Sequence, residues 1–330
     1  MKTKIAYVLV SSEKDIYLEQ AIVSIYSFRL YHPDADLLLL VDKSTSETLV
    51  NGIRKRILDY VTKLVVVDIP DGYSNVQKSR FIKTSMREHI DGDFLFIDTD
   101  TIICGSLNDI ALKECEIAMT PDCHLSIRYN WMRSHIKKWS ARIGWQYSED
   151  MNYFNSGVMY VKDTNRTHQL FKHWHAIWKE FASQGINYDQ PSLAKANEDM
   201  GYLISELDGS WNCQVNANGL PFLMDAKIIH YFASGIGIRK ETPYRFLDKN
   251  LFLYIKSKGM LDDTVKALIS NAKSAFNPFC TVIGYDDAKF LYTNVYWLYV
   301  GHPNLYRVID FLSKLFLFAM RFIPSHKSKS

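Results

Sequence analysis

The run Phe94-Leu95-Phe96-Ile97 ends directly on Asp98-Thr99-Asp100. Four consecutive apolar residues fit an extended segment buried on both faces, inside a sheet that is covered on both sides. Residues two apart on a strand point the same way, so Asp98 and Asp100 aim at one region at the strand's carboxyl end. Open α/β sheets place their ligands there. Adjacent carboxylates repel and resist desolvation. A divalent cation relieves both, and an oxygen ligand set favours Mg2+ or Mn2+. The same pair also fits a solvated turn in which one Asp caps the next segment.

The residues leading up to this run repeat one pattern. Ile5–Val10, Leu37–Val41 and Leu64–Val67 read as strands. Between them, Tyr17–Tyr31 carries apolar residues at Leu18, Ala21, Ile22, Ile25 and Phe28, the spacing of one helix face. Thr45–Tyr60 and Lys78–His89 read as further helices, the first capped by Ser44, Thr45 or Ser46. Strand and helix in alternation predict an α/β fold, a mostly parallel sheet flanked by helices. Further on come short strands at Ile117–Met119 and Ala226–Tyr231, and a turn opening into a strand at Phe154–Val161. Helices are expected at Thr167–Ala182 and from Asp189-Gln190-Pro191, where proline suits an early helical position. Arg128–Glu149 is basic and aromatic with weak periodicity. It reads as a loop or broken helix, either a solvated insertion or a wall of an acceptor pocket.

Composition excludes several classes. Net charge is only +3 and charged residues make up 23% of the chain, so no nucleic acid is expected as a partner. The five cysteines include no C-x-x-C pair, which argues for reduced thiols and against a zinc site or disulfide frame. Ile5–Val10 is too short for a signal segment, so a cytoplasmic setting is expected.

Five features occur in a telling order: an N-terminal strand, a lysine-bearing helix before F-I-D-T-D, then F-N-S-G-V, Y-D-Q-P and I-I-H-Y. Over roughly residues 5 to 235 the chain resembles glycosyltransferase family 8, the GT-A group that contains glycogenin and bacterial lipopolysaccharide glycosyltransferases. The resemblance implies a mixed, mostly parallel GT-A sheet and a UDP-sugar donor. It makes Asp98, Asp100 and His230 ligands of Mn2+ (or Mg2+), with Asp98 and Thr99 beside the donor. It seats the nucleoside at Val10, Ser11 and Ser12, and the diphosphate or donor sugar at Arg80 and Lys83. Asn155 and Gly157 match its N-[SA]-G and would touch the sugar or phosphate. Asp189 and Gln190 match its D-Q and would stand at the reacting sugar as catalytic groups. One element is missing: no K-P-W follows His230, and Arg239 or Lys240 would have to supply that cation.

The resemblance fades after about Tyr244. Residues 1–240 are expected to form the catalytic domain and 241–330 a helical extension. Its last segment, 302–330, spaces Arg307, Lys314 and Arg321 seven apart among Phe and Leu residues, the pattern of a helix lying on an anionic membrane. The implied protein is a hexosyltransferase, peripheral on the inner face of the plasma membrane. It would act on a glycan or lipid-linked acceptor in surface polysaccharide or lipopolysaccharide synthesis, with retention. An inverting enzyme would need a carboxylate base, for which Asp122, Glu149 and Asp150 are candidates. The alternative from another class is a non-catalytic sugar-nucleotide or glycan binder with a degenerate site.

Overall fold

The computed structural model describes residues 2–50, 52–232, 242–278, 280, 290–291 and 293–320. The main sheet has seven strands: β1 (Lys4–Leu9), β2 (Leu37–Asp42), β3 (Lys63–Val67), β4 (Phe94–Ile97), β6 (Ile117–Ser126), β7 (Asn152–Val161) and β8 (Ile204–Glu206). Their order is β3-β2-β1-β4-β7-β6-β8. Strands β3, β2, β1 and β4 run parallel. β7 is antiparallel to both neighbours, and β8 is parallel to β6. A second sheet places β10 (Ile228–His230) between β5 (Thr101–Ile103) and β9 (Cys213–Gln214).

Period-two alternation explains how β1 is covered. Ile5, Tyr7 and Leu9 pack in one cluster with Leu18, Ala21, Ile25 and Phe28 of α1 (Tyr17–Tyr31). Ala6, Val8 and Val10 face the other cluster, with Ile82 of α3 (Asn75–Ser85) and Trp174 of α5 (Asn165–Ser183). Phe96 is fully buried there, and its truncation to alanine would cost about 3–5 kcal/mol.

The second expected helix is shorter than its apolar spacing suggests. α2 spans Lys43–Thr48 and is capped by Asp42, whose Oδ1 accepts from Thr45 N at 3.1 Å. Gly52 then takes φ +67°, and the chain resumes as a 3-10 helix over Ile53–Tyr60. The basic, aromatic segment forms a true helix, α4 (Arg133–Ile143). Ile136, Ile143 and Trp145 turn into a small core with Tyr153 and Phe181, while Lys137, Lys138 and Arg142 stay exposed. α6 (Gln190–Asp199) begins at the expected proline.

The chain divides into two compact units, residues 1–278 and 279–330. α7 (Lys249–Lys258) and α8 (Asp263–Ser270), expected with the C-terminal extension, lie in the first unit, where Phe252, Ile255, Val265 and Ile269 pack with Tyr231 and Val23. In the second unit, helices Asn294–Gly301 and Pro303–Met320 bury none of their residues. Among the described residues, no helix is long and apolar enough to cross a membrane.

Candidate active site

The site assembles where β4 ends. Asp98 N donates to the Gly157 carbonyl of β7 at 2.7 Å, and Thr101 Oγ1 donates back to the Asp98 carbonyl at 2.8 Å. The turn from β4 into β5 is thereby tied at both ends. β10 lies antiparallel to β5 with His230 opposite Thr101, which carries the imidazole to the same turn. Asp98, Asp100 and His230 each offer a ligand atom within 4.8 Å of the others. His230 Nε2 lies 3.2 Å from Asp100 Oδ1.

Behind His230 runs a buried line of amides. His230 Nδ1 lies 3.0 Å from Asn212 Oδ1. Asn212 Nδ2 donates to Asn155 Oδ1 at 3.0 Å, and Asn155 Nδ2 donates to Asp122 Oδ1 at 2.8 Å. Asn130 Nδ2 closes the line on Asp122 Oδ2 at 3.1 Å. The imidazole also explains the neighbouring glycine. A Cβ on Gly157 would stand 2.4 Å from His230 Cε1, so no other residue fits without moving the ring.

The opposite side is held by charge. Lys83 Nζ donates to both Asp98 oxygens at 3.1 Å and lies 3.5 Å from Asp189 Oδ2. Arg80 Nε is 3.0 Å from Asp189 Oδ1, and Ser156 Oγ donates to Asp189 Oδ2 at 2.7 Å. Burial pushes the Asp189 carboxyl up, but Lys83, Arg80 and the Ser156 hydroxyl outweigh it and hold it below the usual carboxylate range. Asp98 shares Lys83 yet moves the other way: burial raises it, with Asp100 adding to the rise. Gln190 Nε2 donates to the Phe154 carbonyl at 3.1 Å, next to a cavity of about 340 Å3 lined by Trp145, Phe154, Gln190, Asn197, Tyr202 and Ile204.

Val10, Ser11 and Ser12 follow β1, whose carboxyl end adjoins that of β4. Asp15 gathers this loop, accepting from Ser11 Oγ and Ser12 N, both at 2.7 Å. Arg54 donates to Ser11 Oγ at 3.1 Å and to the Ser12 carbonyl at 3.2 Å. Lys256 of α7 donates to the carbonyls of Glu13 and, at 2.6 Å, Asp15.

The fold thus gathers Asp98, Asp100, His230, Lys83, Arg80, Asp189, Asn155 and Gly157 around one turn. Thr99 lies within that turn, and Gln190 borders the cavity. Arg239 and Lys240 lie outside the described residues. Of the candidate bases, Glu149 and Asp150 pair with Arg128 at 3.4 and 2.9 Å in exposed positions. Only Asp122 belongs to the buried network. Asn212 and Lys256 carried no sequence signal, because a lone amide or charge has no period and its partner lies far along the chain; Asn130 and Asp15 were not singled out either, and Ser156 entered only as the middle of N-S-G.

The family described as nucleotide-diphospho-sugar transferase matches residues 71–273, more than half of the chain. No curated protein sequence matches it. Among solved structures, the chain is similar to the galactosyltransferase LgtC in complex with donor and acceptor sugar analogues: 14% identity, 80% of this chain and 99% of that one, TM-score 0.50. It is also similar to the bifunctional glycosyltransferase WbbM, at 14% identity over 79% of this chain and 52% of that one, TM-score 0.50. Mouse xyloside xylosyltransferase 1 is similar at 15% identity over 70% of this chain and 97% of that one, TM-score 0.48. At these identities the structural likeness is one of fold.

Proposed function

The chain belongs to the nucleotide-diphospho-sugar transferase family, with a GT-A sheet, and from that premise we propose its reaction. A hexose passes from a UDP-sugar to a hydroxyl of a glycan or lipid-linked acceptor, with retention and with Mn2+ or Mg2+ as cofactor. The observation that carries this reading is the convergence of Asp98, Asp100 and His230 within 4.8 Å, beside Lys83 and Arg80. Two carboxylates and an imidazole fit a divalent cation of that kind, and the nitrogen ligand tilts the choice towards Mn2+. The lone ring nitrogen 3.2 Å from a carboxylate oxygen also suits a site that receives a positive charge.

A bound cation supplies stabilisation of the negative charge that builds on a departing diphosphate. The side chains do the rest. Lys83 and Arg80 face the diphosphate and donor sugar. Val10, Ser11 and Ser12 form the floor for the nucleoside at the end of β1, with the backbone groups of Ser11 and Ser12 taken up by Thr45, Asp15 and Arg54, which hold that loop in shape. Asn155 gives one amide hydrogen to Asp122, so its part is to brace the site as much as to touch the sugar. The charge balance supports retention. Asp189 is held as a carboxylate by two cations, Asp122 is committed to two amides, and Asp150, which lines the cavity beside Gln190, is paired with Arg128 at 2.9 Å, so none is a ready base for an inverting attack. Gln190 is the neutral group nearest the reacting sugar. The cavity beside it, with Trp145 and Tyr202 in its wall, suits an acceptor sugar, whose C–H faces stack on aromatic rings.

The helix Pro303–Met320 exposes Phe311, Leu315, Phe316 and Phe318 and carries Arg307 and Lys314. This supports peripheral attachment to the inner face of the plasma membrane, where a lipid-linked acceptor of polysaccharide synthesis resides. Deleting residues 302–330 is expected to stop co-sedimentation with anionic vesicles; a truncated protein that still sediments refutes the attachment.

The decisive experiment measures nucleotide release from a panel of sugar nucleotides with Mn2+. Asp98→Asn is expected to lower the rate about 100- to 1,000-fold. A rate untouched by that substitution or by chelation overturns the metal-assisted reading. The anomeric configuration of the product, read by NMR, decides between retention and inversion.

A further inference from the structure

The amide line behind His230 fixes which of its ring nitrogens is bare. The starting point is a backbone group, whose role is beyond dispute. Gly157 N–H can only donate, and it meets the Asn155 side chain at 2.9 Å. The atom it meets is therefore the Asn155 oxygen, which leaves the Asn155 nitrogen facing Asp122, a carboxylate that accepts. The same Asn155 oxygen lies 3.0 Å from Asn212, so Asn212 must turn its NH2 there and its own oxygen towards His230. That oxygen lies 3.0 Å from His230 Nδ1 and can only accept. Each amide orientation follows from the one before, so none depends on how side-chain oxygens and nitrogens are assigned.

We propose that Asn212, oriented through Asn155 by the Gly157 N–H and Asp122, is a positioning residue that holds the proton of neutral His230 on Nδ1 and keeps Nε2 bare for a divalent cation. The lock has a definite alternative to suppress. Free to choose, a neutral imidazole beside Asp100 would donate Nε2–H to that carboxylate at 3.2 Å and withdraw from ligation. To do so it would have to turn a bare Nδ1 on the Asn212 oxygen, two lone pairs face to face in a buried place. Asn212 is fully buried and His230 is 3% exposed, so no water relieves that clash. Partners of this kind behind a ligating histidine set its tautomer and ring orientation. The chain of neutral amides does this without adding charge to the site. The inference rests on the metal reading only for its purpose; the tautomer itself follows from hydrogen bonds alone.

Two measurements test it. Nitrogen-15 spectra of the histidine ring in the metal-free protein, in mildly alkaline buffer, are expected to show His230 protonated on Nδ1. In Asn212→Leu, which cannot accept, the proton is expected on Nε2, and Mn2+ affinity, followed by the loss of the free-ion EPR signal, falls about 10- to 100-fold. A wild-type His230 protonated on Nε2 overturns the proposal even if no variant folds, as does an Asn212→Leu protein with unchanged tautomer and unchanged Mn2+ affinity. A wild-type Nδ1 proton together with no Mn2+ binding would instead refute the metal reading and leave the lock standing.

Discussion

The two walls of the site do the same job by different means. On the His230 side, orientation comes from neutral amides: Asn212, Asn155 and Asn130 pass hydrogen bonds along to Asp122. On the Lys83 side it comes from charge, with Lys83 and Arg80 set against Asp98 and Asp189. Asp98 is the seam between them. Lys83 touches both carboxylates, but the Asp189 carboxyl sits below the usual range and the Asp98 carboxyl above it. The difference is in the company each keeps. At Asp189 two close cations and a hydroxyl donor outweigh burial, whereas at Asp98 burial prevails and Asp100 adds to the rise, against Lys83, His230 and Arg80. A balanced cluster of charges is a brace; an unbalanced one is a place for a ligand.

Substitutions can break this contrast, beginning with the amide wall. Gly157→Ala drives a methyl group into the imidazole and is expected to lower kcat for sugar transfer about 100-fold, since ångström-scale misplacement of a catalytic group costs that much. Steady-state rates at saturating donor would show it, and a variant within a few-fold of wild type would mean that His230 need not sit where it does. On the charged wall, Asp189→Asn takes from Arg80 its close carboxylate and from Lys83 the second of its two, and should destabilise the protein by about 2 kcal/mol at neutral pH. Because the folded-state pKa of Asp189 is depressed, its contribution is full above the ordinary unfolded carboxylate value of about 3.9 and is lost as pH falls further. Denaturant melts across that range should therefore converge for wild type and variant in acid and separate at neutral pH. A deficit unchanged by acid would remove charge from the account of that wall. The smallest effect is expected from Lys256→Met, which loosens the loop after β1, the proposed donor seat, at a distance. The KM for the sugar nucleotide should rise about tenfold, from a lost charge-assisted bond, with kcat little changed. A fall in kcat alone would place Lys256 elsewhere in the cycle.

How far the sequence foretold these walls depends on what holds them. Phe94–Ile97 and the alternation on β1 were readable because burial on both faces leaves a periodic trace. Lys83, Asp98 and His230 were readable through the order of motifs. Asn155 and Gly157 were singled out for the sugar, and the structure adds a service to His230 that the motif did not disclose, one as a link in its support and the other as room for its ring. Asn212 was invisible because its partners come from β7 and β10, and no local spacing records that meeting. Gly52 shows the same limit in the backbone. The expected helix runs on through 45–60, but α2 stops at Thr48, and Gly52, at φ +67°, stands between it and the 3-10 helix that follows.

The bond from Lys256 to the Asp15 carbonyl joins groups 241 residues apart. Its consequence falls on synthesis. The loop that follows β1 leaves the ribosome well ahead of one of its fastenings, which emerges about 12–50 s later at ordinary elongation rates of about 5–20 residues per second. A nascent chain halted before α7 could already hold the first strands of the sheet and the Asp15 and Arg54 contacts of this loop, yet lack the tie from Lys256. The loop after β1 would therefore reach its final shape late, once α7 has emerged.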